Sequence, residues 1–381
     1  MVTLDAHGRR PFSLRGPRAA RATQAVVSVA VSVLVAHALG LADTWWVAIT
    51  AFTVTQANLA SSSRRALLRI AGTLAGAALG ALLGPWLAGH PALWATALAV
   101  ATWAGLWAAL TQRQSYAWVL GTVTFLMVTL AAVHQHDTLN AFALARIVDV
   151  AVGCGVCTMV AAICDPVFRV VLFRSPRGKH DPASAASGAA GLTSSASAAS
   201  TVVPDAIAVE RRIAALHALD GAICVGLLAL VSHAMDWRVF PQAMVTTLAV
   251  LVVPLGADRF AARAAVFDRM TQRLAGCLLA GGLAAALLPL VGGVPVMCQL
   301  VLCVGVWAGA YGQGGGPRFG YLSTQFVVAF IMVFVQDRGW TADYLRVAER
   351  LGGVAAGVAG LYAVCWITRY VQIRWRVRAR Q

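Results

Sequence analysis

Ser61-Ser-Ser-Arg64-Arg65-Ala-Leu-Leu-Arg69-Ile-Ala-Gly72-Thr-Leu-Ala-Gly76-Ala-Ala-Leu-Gly80-Ala-Leu-Leu-Gly84 decides how this chain reads. Three arginines lead into an apolar run with glycine at every fourth position. Spacing of four puts those glycines on one helix face, where a second backbone can approach closely. The design returns between Ala264 and Leu288, where Arg269, Arg273, Gly276, Ala280 and Ala284 take the places of Arg65, Arg69, Gly72, Gly76 and Gly80. Arg273 follows Arg69 by 204 positions, as Arg350 follows Arg146. Phe125-Leu-Met-Val is echoed by Phe330-Ile-Met-Val, and Trp107-Ala by Trp307-Ala. A basic start to a small-residue apolar helix, used twice, predicts a membrane protein built by duplication.

Composition agrees. Of 381 residues only 12% are charged and 59% are hydrophobic, against about 25% charged in a soluble domain. Twelve apolar segments fit: about 24–41, 44–60, 66–84, 92–110, 116–133 and 142–163, then 216–234, 239–256, 271–292, 296–312, 319–335 and 351–368. The expected fold is an all-α membrane protein of about 12 transmembrane helices, arranged as two parallel six-helix repeats. The basic stretch before Ala25–Leu41 has the layout of a signal peptide, but the recurrence of the pattern makes that run the first span. The expected divisions are a basic cytoplasmic N-terminus (1–23), a first repeat (24–164), an Ala/Ser-rich linker (165–212), a second repeat (213–368) and a basic tail (369–381). The linker's Ala183–Ser200 stretch cannot bury a core and reads as disordered.

The net charge of +15 does not point to nucleic acid, because the arginines lie between apolar runs rather than on a soluble face. They act instead as topology signals. With the N-terminus inside, only Arg146, Arg238, Arg338, Arg346 and Arg350 of the thirty basic residues fall on the outer side. Both termini are therefore expected in the cytoplasm.

The run Trp45-Trp46-Val-Ala-Ile-Thr-Ala-Phe-Thr-Val-Thr-Gln56, with Arg69-Ile-Ala-Gly72-Thr-Leu-Ala-Gly76 after it, resembles the fusaric acid resistance and aromatic acid exporter family. Arg146-Ile-Val-Asp149 resembles that family's R-x-x-D segment, and in the second half Gly353 stands where the aspartate would be. The resemblance implies a bacterial inner-membrane exporter of amphipathic aromatic anions, working beside a periplasmic adaptor subunit. The six-span half also resembles the plant aluminium-activated malate channels. Proton coupling is the expected drive, since no nucleotide-binding motif occurs. A passive anion channel and a non-transporting membrane scaffold are the alternatives. The expected partners are the lipid bilayer, a small organic anion and a further copy of the chain.

Eight residues are expected along a substrate or proton path: Arg69, Arg273, Arg146, Asp149, Arg350, Asp220, Thr53 and Gln56. Arg69 and Arg273 either meet an anion at the inner mouth or anchor to lipid phosphates. Arg146 and Asp149, three apart, share a helix face and either exchange a substrate and a proton or lock the span. Thr50, Thr53 and Gln56 form a polar stripe that is either pore lining or interhelical glue, with Gln242, Thr246 and Thr247 as counterparts. Asp220, three after His217, either carries a proton or reaches water.

No enzyme chemistry is expected: there is no nucleophile–base set, and no cofactor or metal site is implied. The Cys154-x-x-Cys157 pair lies in an apolar span, so the eight cysteines read as buried free thiols. His134-Gln-His136-Asp137 is too short a loop to hold a metal alone. Trp45, Trp46, Trp86, Trp94, Trp237 and Trp340 are expected as interface anchors.

Overall fold

A computed structural model describes residues 16–56, 58–134, 138–173, 204–235, 239–253, 259–291, 294–335 and 344–378. Within them lie twelve helices. These are α1 (Pro17–Ala38), α2 (Thr44–Val54), α3 (Leu59–Ala88), α4 (Pro91–Thr111), α5 (Ser115–His134) and α6 (Leu139–Phe173). Then follow α7 (Pro204–Met235), α8 (Phe240–Leu251), α9 (Arg259–Val291), α10 (Pro295–Gln313), α11 (Pro317–Phe334) and α12 (Tyr344–Arg378). No strand occurs among the described residues.

The starts follow from local chemistry. Proline stands in the first turn of α1, α4, α8, α10 and α11, where its missing N–H costs nothing. Asn58 caps α3, its side chain accepting from the Ser61 amide at 2.9 Å. The glycine-rich run before Pro317 makes a turn, with Gly316 at φ 114°, a conformation glycine adopts without strain.

Among the described residues, nine helices are long and apolar enough to cross a membrane. Two of the expected spans are cut short. Helix α2 has 11 residues and α8 has 12, so each rises about 16–18 Å against a hydrocarbon core of roughly 30 Å. Helix α2 stops because Thr55 and Gln56 leave the helical path and Asn58 starts the next helix. Helix α8 stops before Pro254, which disfavours helical geometry at the residue before it. The apolar part of α11, Phe319–Phe334, is also under span length. Conversely, α3 begins before its arginines and runs through Pro85, so Arg64, Arg65 and Arg69 are helical. Helix α6 continues past Asp165-Pro166 to Phe173. The Ala183–Ser200 stretch, Trp237 and Trp340 lie outside the described residues, as do His136 and Asp137.

The tightest packing joins α3 to α5, along the glycine face. A Cβ on Gly72 would meet the Ala117 backbone, one on Gly76 the Gly121 and Phe125 backbone, and one on Gly80 the Val128 side chain at 2.8 Å. Helix α9 packs on α11 with Gly276 against Leu322 and Phe326. Helix α6 crosses α2 at Gly153, and α12 crosses α8 at Gly357, each glycine resting on a backbone carbonyl of the short helix.

The core sits where the two halves meet. Leu98, Leu106 and Leu126 share one cluster with Met244, Leu248 and Leu361. Val29, Val33 and Phe52 share another with Leu302, Phe330 and Phe334. Leu67, Leu82, Trp86, Leu290 and Val304 are exposed, an apolar perimeter suited to lipid. Trp94 departs from the expected interface belt: it is buried at 1% exposure and packs edge-on against Phe240 of α8.

Candidate functional site

Two arginine sites lie at opposite ends of α2. Its last turn faces Arg69. That side chain is 4% exposed, and its Nη1 donates to Thr53 Oγ1 at 3.0 Å and Tyr116 Oη at 2.9 Å. The Arg65 guanidinium covers the Tyr116 ring at 4.5 Å. Tyr116 is brought here by the α3–α5 glycine contact, which seats Ala117 against Gly72 one turn from Arg69.

Arg273 sits in a matching setting. It is 4% exposed, its Nε donates to Thr246 Oγ1 at 3.2 Å and its Nη1 to Gln325 Oε1. Arg269, one turn earlier, lies over the Tyr321 ring at 4.9 Å and donates to the Val252 carbonyl. Neither Arg69 nor Arg273 has a carboxylate within ion-pair distance among the described residues. Burying an ion without a counterion costs several kcal/mol, a cost that a nearby negative charge would reduce.

The first turn of α2 faces a different arrangement. Arg146, 2% exposed, pairs with Asp43 from the α1–α2 connection and with Asp149 on its own helix at 3.5 Å. Its guanidinium lies 5.2 Å from the Trp46 ring, 5.1 Å from Phe142 and 5.8 Å from Trp45. Arg350, from the second half, covers the same Trp45 ring at 5.1 Å and donates to the Met332 carbonyl. Gly353 occupies the Asp149 position of the second half because α12 lies against Val239 and Gln242 there, leaving no room for a side chain.

The expected polar stripe on α2 divides. Thr50 packs against Gly153 of α6, and Thr53 serves Arg69. Gln56 lies past the end of α2, where its Nε2 donates to the Thr55 carbonyl at 2.7 Å. It lines a cavity of about 300 Å³ with Arg18, Arg21, Thr55 and Gln313, between α1 and α10. Asp220 is buried on α7 one turn from His217, whose Nε2 lies 3.1 Å from the Leu251 carbonyl at the end of α8.

All eight cysteines are free, with Cys154 Sγ facing the Ala66 carbonyl and Cys157 Sγ 3.4 Å from Thr55 Oγ1. Among the described residues no group of three His, Cys, Asp or Glu is placed to hold a metal. Sequence reasoning missed Tyr116, Tyr321, Gln325 and Asp43. The tyrosines could have been found: they stand 205 apart, beside the same glycine contact in each half. Asp43 carries no such signal, standing alone between two apolar runs.

Residues 29–160 match the family model described as fusaric acid resistance protein-like. No curated protein and no solved structure matches the chain. The match spans α2 to α5 with the C-terminal part of α1 and most of α6, and so includes Arg69, Tyr116, Arg146 and Asp43. This is a multi-pass membrane protein that over residues 29–160 is similar to the fusaric acid resistance protein-like family.

Proposed function

We propose that the chain is a secondary exporter of amphipathic, chiefly aromatic, organic anions in a bacterial inner membrane, driven by protons. Its two halves are parallel repeats, residues 24–164 and 213–368, with both termini in the cytoplasm. The observation that carries this reading is the pair Arg69 and Arg273: two buried cations held by hydroxyl and amide groups rather than by carboxylates. Such a cation is stabilised when an anion arrives, and Tyr116 and Thr53 already fix the direction of the guanidinium. The cavity holding Arg18, Arg21 and Gln56 supplies a basic, polar approach from the side of the α2 C-terminus.

A carboxylate is captured at Arg69 and Arg273, then passes along α2 to Arg146. Asp43 and Thr53 are ten residues apart, so the two sites are separated by about 15 Å along the helix axis. That is half the hydrocarbon thickness. Asp149 and Asp220 are the candidate proton carriers, both buried. Arg350 helps at the exit by placing a second cation beside Trp45.

The test is uptake of a radiolabelled aromatic carboxylate into inverted membrane vesicles. The wild type concentrates it when a pH gradient is imposed, and Arg69→Gln and Arg273→Gln each reduce the rate by at least tenfold while the protein stays folded. Flux that ignores the gradient replaces the exporter by a passive channel. Full flux with both arginines replaced ends the reading.

A further inference from the structure

Arg146 differs from Arg69 and Arg273 in having two carboxylates, and the two are not alike. Asp149 is fixed three residues along the same helix and is 2% exposed. Asp43 comes from the short connection between α1 and α2 and is 24% exposed, so it forms the open side of the site. Asp43 also stands at the N-cap of α2 without making a side-chain cap bond. Capping is the ordinary use of aspartate there, and here the carboxylate is given to Arg146 instead.

The site has the parts of an aromatic carboxylate pocket. Trp45, Trp46 and Phe142 surround the guanidinium, with the two indoles edge to face at 5.1 Å. Arg146 faces the two carboxylates Asp43 and Asp149, and Arg350 lies over the Trp45 indole beside it. An arriving carboxylate can take the Asp43 position without leaving Arg146 unpaired, while Asp43 turns to water.

We propose that Asp43 is a resident competitor for the transported carboxylate on Arg146, an inference that rests on the transport reading above. Its role is to keep this site weak. A conducting path needs sites that bind well enough to fill and loosely enough to empty. Among the described residues Arg69 and Arg273 lack such a competitor and hold the anion; Arg146 has one and lets it go. Asp43 is thus a specificity- and release-determining residue.

The experiment measures benzoate binding by calorimetry to the full-length protein in nanodiscs, with transport followed in proteoliposomes. Asp43→Asn removes the competing charge and keeps the shape; Asp43→Ser serves if the first variant does not fold. Either is expected to tighten benzoate binding about tenfold, the effect of a lost charged competitor, and to slow turnover. The tightening is expected to vanish when Arg146→Gln is added. If wild type binds benzoate and removal of the Asp43 carboxylate leaves affinity unchanged or weaker, the competitor role is overturned and the transport reading survives. If neither wild type nor the Asp43 variants bind benzoate, the transport reading falls and the competitor role with it.

Discussion

Gly72→Ala tests the link between the glycine face and the anion site. A Cβ on Gly72 falls on the Ala117 carbonyl oxygen, closer than real Cβ atoms approach, and lies 3.1 Å from the Gly121 nitrogen. Both obstacles are backbone, so no rotamer change relieves them. The α3–α5 gap must widen by about 1 Å to restore ordinary contact, and such a gap forfeits a quarter to a half of each contact's attraction. Overpacking of this kind costs about 1–3 kcal/mol, roughly a 5- to 150-fold shift in the unfolding equilibrium. The same opening acts one turn away, where Arg69 reaches Tyr116 at 2.9 Å. A hydrogen bond lengthened by 1 Å is lost. Gly72→Ala is therefore expected to lower the melting temperature in detergent and also to weaken carboxylate binding. Gly155→Ala is the control, since a Cβ there meets nothing within 4 Å and alanine raises helix propensity by about 1 kcal/mol. If Gly72→Ala melts with wild type and binds benzoate equally well, the glycine face does not hold the Arg69 site together.

Two further substitutions probe the frame. Asn58→Ala removes the acceptor for the Ser61 amide at the start of α3 and is expected to cost about 1 kcal/mol, read as a fall of a few degrees in melting temperature. Gly353→Asp restores the missing acid of the second half but drives a Cβ to 2.7 Å from the Val239 carbonyl and 2.6 Å from Gln242 Cβ. The expected loss is about 3 kcal/mol or more, from overpacking and a carboxylate buried without a built partner. Gel filtration and melting read it, and a monodisperse variant with wild-type melting would show that the α8–α12 approach is looser than described.

The twelve apolar runs and their glycine spacing were legible because lipid demands both: long unbroken hydrophobicity and small residues where helices touch. The half-length of α2 and α8 was not, because Thr55-Gln56 and Val252-Val253 continue the Thr-rich or apolar pattern while the backbone leaves the helix. Asn58 and Pro254 were the available signals, one a cap and the other a breaker. Trp94 was misread because a tryptophan just after Gly89-His90-Pro91 suits an interface, yet α4 turns that face toward Phe240. The arginines of the site were legible as expensive charges near apolar runs. Their partners were not: Tyr116 lies 47 residues from Arg69 and Asp43 103 from Arg146, contacts that tertiary packing alone creates. The alternation of Arg69, without a carboxylate among the described residues, with a doubly paired Arg146 is visible only once α2 is seen to join them.

The central claim is that an organic anion occupies the interior arginine sites. Anomalous diffraction from crystals grown with 4-iodobenzoate tests it most directly. The account predicts iodine peaks beside the guanidinium groups of Arg69 or Arg273 and next to Arg146, among Trp45, Trp46 and Phe142. Iodine found solely in the lipid-facing groove of α3, α4 and α5, lined by Leu79, Leu83 and Val100, would contradict it.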